Sequence, residues 1–128
     1  MGFFDLFKSQ EEKAKLSHLK SLLAVAAADG VIEKTELAGI AAIVAREGIS
    51  ADDLERCIKH PEKIKPVMPK SDEEKVRYIQ DMVGLMMIDG SIDANEMLVC
   101  KLTAEAFGYQ SEIVDAIIAD YLSQINRN

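Results

Sequence analysis

Tryptophan is absent from this chain, and Phe and Tyr together make up only 5% of its 128 residues. Strands draw on aromatic and β-branched side chains, so a sheet core has little to be built from. The Leu, Ile, Val, Ala and Met that remain favour helices. Basic charge is also short: 15 Lys and Arg face 22 Asp and Glu, for a net charge of −7. A phosphate-backbone binder needs a basic face that releases counterions, so nucleic acid is not an expected partner. Cations and basic patches on other proteins are. The two cysteines, Cys57 and Cys100, form no CxxC pattern and are expected as buried thiols in a reducing compartment rather than as a disulfide or zinc site. Long apolar runs are missing too. The longest, Leu22 to Ala28 and Met82 to Ile88, fall far short of the roughly 20 residues that span a bilayer. The first residues do not read as a secretory signal. The expected setting is cytoplasmic, and the length suits a single domain over 1–128.

What the chain does have is a repeat. Shifted along itself by sixty positions, the sequence matches without gaps: Asp29-Gly30 falls on Asp89-Gly90, Ile32 on Ile92, Glu33 on Asp93, Glu36 on Glu96, Gly48 on Gly108 and Ile58 on Ile118. Upstream, Leu16, Leu19, Leu23 and Ala26 fall on Val76, Ile79, Val83 and Met86, the spacing of an amphipathic helix. Internal duplication is the reading. The fold class expected is all-α, with two tandem three-helix units sharing one core.

Repeat one covers about 9–60 and repeat two about 71–125. The first helix of each unit is expected over Gln10–Ala28 and Asp72–Ile88, opened by the capping boxes Ser9/Glu12 and Ser71/Glu74. The second begins after the DG turn and stops near Gly48 or Gly108, where glycine suits a left-handed cap. The third begins after Ser50 in the first unit. Pro61, Pro66 and Pro69 stand among lysines in 61–70 and mark a linker. Neither half offers enough apolar surface to fold alone.

The segments that could carry chemistry are DGVIEKTE from Asp29 and DGSIDANE from Asp89. Carboxylates stand at i, i+4 and i+7 around a glycine turn: Asp29, Glu33 and Glu36, then Asp89, Asp93 and Glu96. This is close to the second half of an EF-hand loop, but Val25, Ala27, Leu85 and Met87 occupy the places of its opening ligands. Six carboxylates could attract one or two hard cations, Ca²⁺, Mg²⁺ or Mn²⁺. A purely structural reading stands beside this one. In it the glycines end the first helices, Asp93 and Glu96 form a capping box, and Ile32 and Ile92 plug the core. Asp29 and Asp89 resist that reading, because the helix dipole disfavours a negative charge at a C-terminus.

The duplicated DGxIxxxE turn, the early Met-x-Phe-Phe-Asp stretch and the chain length resemble the TerB-like tellurite-resistance family, over roughly Gly2 to Tyr121. The resemblance implies an all-helical fold of two related halves, an acidic patch that binds metal ions at the six carboxylates named above, and a role in stress-response assemblies near the membrane. Two departures stand out: Ile88 precedes the second motif Asp, and the linker is basic. Tellurite itself is an anion that an acidic patch repels.

Phe3, Phe4 and Phe7 hold most of the phenylalanine. They could enter a membrane interface beside Lys8, Lys13, Lys15 and Lys20, or fold back on the domain's own core. His18 and His60 have no nucleophile at a recognisable spacing, and His18 aligns with Tyr78 as a surface position. Met82, Met86 and Met87 are expected in the core. Catalysis would need a carboxyl raised in an apolar cleft with a substrate pocket, so the expectation is no enzyme. The alternatives are a binding module with a protein partner, a structural helical scaffold or homodimer, and a peripheral membrane adaptor.

Overall fold

A computed structural model describes residues 8–126, and every regular element among them is helical. The chain enters the first helix, α1 (Gln10–Ala27), through the complete Ser9/Glu12 box: Ser9 Oγ accepts from the Glu12 N–H at 3.1 Å and Glu12 Oε1 from the Ser9 N–H at 3.3 Å. After the first DG turn, α2 (Lys34–Glu47) ends on Gly48 at φ 69°, the left-handed cap that a Cβ would strain. Next, α3 (Ala51–Lys59) starts from Ser50, whose hydroxyl accepts from the Asp53 N–H. The second half repeats the order as α4 (Asp72–Met86), α5 (Ala94–Ala106) and α6 (Glu112–Asn126). Ser71 caps α4 as expected, but Glu74 does not close the box on it. Glu74 Oε2 accepts instead from the Lys70 N–H at 3.3 Å.

The linker is less loop-like than its prolines suggest. A short 3₁₀ helix (Pro61–Lys63) opens it, and Ile64 and Pro69 are buried. Val67 N–H donates to Ser17 Oγ at 3.0 Å and Lys20 Nζ to the Ile64 carbonyl at 2.9 Å, which ties the segment along α1.

Packing centres on α1 against α4. Around this pair, α1 touches α2, α3 and α5, while α4 touches α5, α6 and α2. One apolar cluster runs through both halves, including Leu19, Leu22 and Val25 from α1, Ile79, Met82, Val83 and Met86 from α4, and Cys57, Cys100 and Val114 from the flanking helices. Burial pushes the two thiols up, Cys57 to about 11 and Cys100 to about 12, so both stay protonated and unreactive. No helix among the described residues is long and apolar enough to cross a membrane.

His18 departs from expectation. It is buried, not on the surface: its Nε2 lies 2.8 Å from Asp81 Oδ2, and its ring stacks on Tyr78 with centroids 3.8 Å apart. Arg46 grips the same carboxylate with both guanidinium nitrogens, at 2.7 and 3.1 Å. Burial alone would raise the Asp81 carboxyl, but hydrogen bonds from His18 and Arg46 hold it below its usual range. The surface expectation fails because the face of α1 that carries His18 meets α4 rather than solvent.

Because Leu19 and Leu22 are buried in a cluster shared with Ile79, Met82 and Val83, a chain stopped at residue 62 leaves its central stripe open to water. Such a fragment should give no cooperative thermal transition by circular dichroism. A sharp, reversible melt would contradict the shared core.

Candidate functional site

Each DG turn is closed by its own aspartate. Gly30, at φ 91°, donates to the Ala27 carbonyl at 2.9 Å, and Asp29 Oδ1 accepts from the Val31 N–H at 3.0 Å. Gly90, at φ 85°, donates to Met87, while Asp89 Oδ1 accepts from both the Ser91 N–H and the Ser91 hydroxyl at 3.0 Å. These are Asx-type turns, in which a side chain imitates a backbone carbonyl. They answer the dipole objection locally, since each carboxylate gains a backbone donor just past the helix end. The Ser91 bonds hold the Asp89 carboxyl below its usual range.

The next carboxylates sit at helix starts. Asp93 Oδ1 accepts from the Asn95 N–H at 2.9 Å and the Glu96 N–H at 3.0 Å, an N-cap of the favoured kind. In the first unit the carboxylate works from the other side, with Glu36 Oε1 accepting from the Glu33 N–H at 3.0 Å. The longer Glu33 side chain occupies the place where Asp93 caps.

Glu36 and Glu96, one turn into α2 and α5, are buried, with 3% and 5% of their surface exposed. They meet. Burial pushes the Glu96 carboxyl up to about 8, helped by its hydrogen bond with Glu36 and by the charges of Glu36, Asp29 and Asp93. Burial and the negative charge around it therefore keep the Glu96 carboxyl protonated near neutral pH. Of the six candidate residues, then, Glu36 and Glu96 touch, and Asp29 and Asp93 act on Glu96 by charge. Glu33 and Asp89 are engaged in their own turns. Among the described residues no group of three or more His, Cys, Asp or Glu is set to enclose a metal ion.

Ile32 and Ile92 do not plug the core. They are 38% and 46% exposed, and Val31, Leu37 and Ile88 beside them are exposed as well. The stretch after each glycine leaves these side chains open to solvent. Phe3, Phe4 and Phe7 lie outside the described residues.

No protein family, curated protein or solved structure matches the chain. The likeness to TerB-like proteins rests on the DGxIxxxE turns, the Met-x-Phe-Phe-Asp stretch and the chain length.

The carboxyl pair makes a pH prediction with a definite sign. Glu96 binds its proton more tightly folded than unfolded, so stability is fully present below about pH 4.5. It is lost as pH rises from there to about 8, at up to about 1.4 kcal/mol per pH unit. Glu96→Gln keeps a donor toward Glu36 without titrating. Its melting temperature should fall less between pH 5 and 8 than that of the wild type; parallel profiles would contradict the shared proton.

Proposed function

We propose that the chain is a non-enzymatic, TerB-like binding module made of two copies of one three-helix unit, which binds a divalent cation weakly where its acidic turns converge. The observation that carries this reading is contact between equivalents. Residues sixty positions apart touch in two places, His18 on Tyr78 and Glu36 on Glu96. Equivalent residues of two units can touch only near an axis that relates them. The exchange of partners around α1 and α4 agrees with this: moving each helix on by one unit turns the α1–α5 contact into α4–α2, and α1–α3 into α4–α6.

On this reading the axis passes between the two turns, and the carboxyl pair is its working group. A proton now balances Glu36 against Glu96. A hard cation drawn by Asp29 and Asp93 would take that proton's place, completed by backbone carbonyls and water. Ca²⁺, Mg²⁺ and Mn²⁺ suit oxygen donors, whereas zinc would want His or Cys. Affinity should be low, around 10⁻⁴–10⁻³ M as for weak calcium modules, because binding must first displace a proton.

Exposed Val31, Ile32, Leu37, Ile88 and Ile92 ring the turns. Apolar side chains grouped at a site's rim support a protein partner or a second copy docking there, with the cation stiffening the surface it meets.

Calorimetry and thermal melts with each cation decide the matter. Millimolar Ca²⁺, Mg²⁺ or Mn²⁺ should release heat and raise the melting temperature, and Asp29→Asn with Asp89→Asn should weaken both effects. Without metal, Asp29→Asn alone should be slightly more stable, since Asn keeps the turn bond without the charge that acts on Glu96. Asp89→Asn should instead be slightly less stable, since the Ser91 bonds favour its carboxylate. No heat and no shift at several millimolar cation would leave a helical scaffold.

A further inference from the structure

A cavity of about 230 Å³ lies between the start of α1 and the linker, away from the acidic turns. Leu16, Ile64 and Val67 form its apolar wall, and Leu16 and Ile64 are buried. Lys13, Lys63 and Lys65 line its mouth. Nearby lysines have partners: Lys8 pairs with Asp53, Lys15 donates to the Glu47 carbonyl, Lys20 to the Ile64 carbonyl, and Lys59 pairs with Glu55. Of the acids next to them in sequence, Glu62 faces His60 Nδ1 at 3.5 Å and Glu12 accepts from the Ser9 N–H. The side chains of Lys13, Lys63 and Lys65 make no ion pair or hydrogen bond with any described residue. Three ammonium groups without a protein partner, gathered over an apolar wall in a chain of net charge −7, make a local positive patch complementary to an anion.

We infer that this pocket binds the phosphate headgroup of an anionic lipid at a membrane surface. Lysine ammoniums are mobile point charges that suit a phosphate presented at varied angles, and the apolar wall receives the first carbons beyond the headgroup. The volume selects the source. Pockets that enclose a whole small ligand run to about 300–1,000 Å³, so this one takes only part of an amphiphile and leaves the rest in the bilayer. Attachment is weak and salt-sensitive, since three lysines work against the charge of the whole chain.

The test uses the full chain with chelator present, so that the acidic turns play no part. Sedimentation is measured with neutral phosphatidylcholine vesicles and with vesicles containing phosphatidylglycerol, at low and high salt. The wild type should pellet with the anionic vesicles alone and be released by salt. Lys13→Gln, Lys63→Gln and Lys65→Gln together should weaken partitioning on the order of 100-fold, at about fivefold per lysine, with no change in melting temperature. If the triple variant melts early, Lys65→Gln alone carries the test at about fivefold. Lys34→Gln, which removes an unpaired lysine on α2, should leave binding unchanged. The inference is overturned if the wild type ignores anionic vesicles or binds neutral ones equally. It is also overturned if Lys34→Gln matters as much as Lys65→Gln, or if the triple variant binds normally while Phe3→Ser, Phe4→Ser and Phe7→Ser together abolish binding. Equal affinity for soluble glycerol phosphate would overturn the membrane source.

Discussion

Two carboxyl groups can be buried side by side only if something positive stands between them. In this protein that constraint falls on Glu36 and Glu96, and the surrounding structure accommodates it. The Glu33 N–H donates to Glu36, and Asp93 takes the Glu96 amide. The first bond holds the Glu36 carboxyl at the start of α2, and the second caps α5 just before Glu96. A single proton between them satisfies both side chains, and no buried side-chain nitrogen or oxygen among the described residues lacks a partner.

The second buried polar group serves a different end. His18, Asp81 and Arg46 join α1, α4 and α2 through one carboxylate. With Tyr78 stacked beneath the imidazole, the network fixes how α1 lies across α4. A purely apolar crossing of Leu, Ile and Met could slide at little cost. A carboxylate held by three nitrogens cannot, because any shift leaves a buried charge unpaired. Gly39 lets α2 approach closely on the same side: a Cβ there would come within 3.1 Å of Ile88 and Leu85.

Much of the fold was legible in the sequence because helix ends are local events. Ser9, Ser50, Gly48 and Gly108 stop or start helices through bonds to residues three or four positions away, and each helix boundary falls within about two residues of where these signals put it. Burial was less legible. Periodicity marked Leu19, Ile79, Val83 and Met86 correctly but could not tell that His18 faces α4, since that depends on which helix crosses above it. Ile32 and Ile92 read as core plugs from composition, yet the carboxyls they flank lie deeper. At the candidate site the repeat singled out six carboxylates and the sequence already offered Asp93 as a cap, while geometry added Asp29 and Asp89 as turn closers and Glu36 and Glu96 as buried neighbours.

The central claim is that Glu96 holds a proton near neutrality and gives it up to a cation. Carbon-13 NMR of the glutamate carboxyl carbons, followed through a pH titration with and without millimolar Ca²⁺, tests it directly. The account predicts one glutamate titrating near pH 8, with the midpoint moving down when calcium is present. If every glutamate titrates near its ordinary value of about 4.3, or the high midpoint ignores the cation, the account is contradicted.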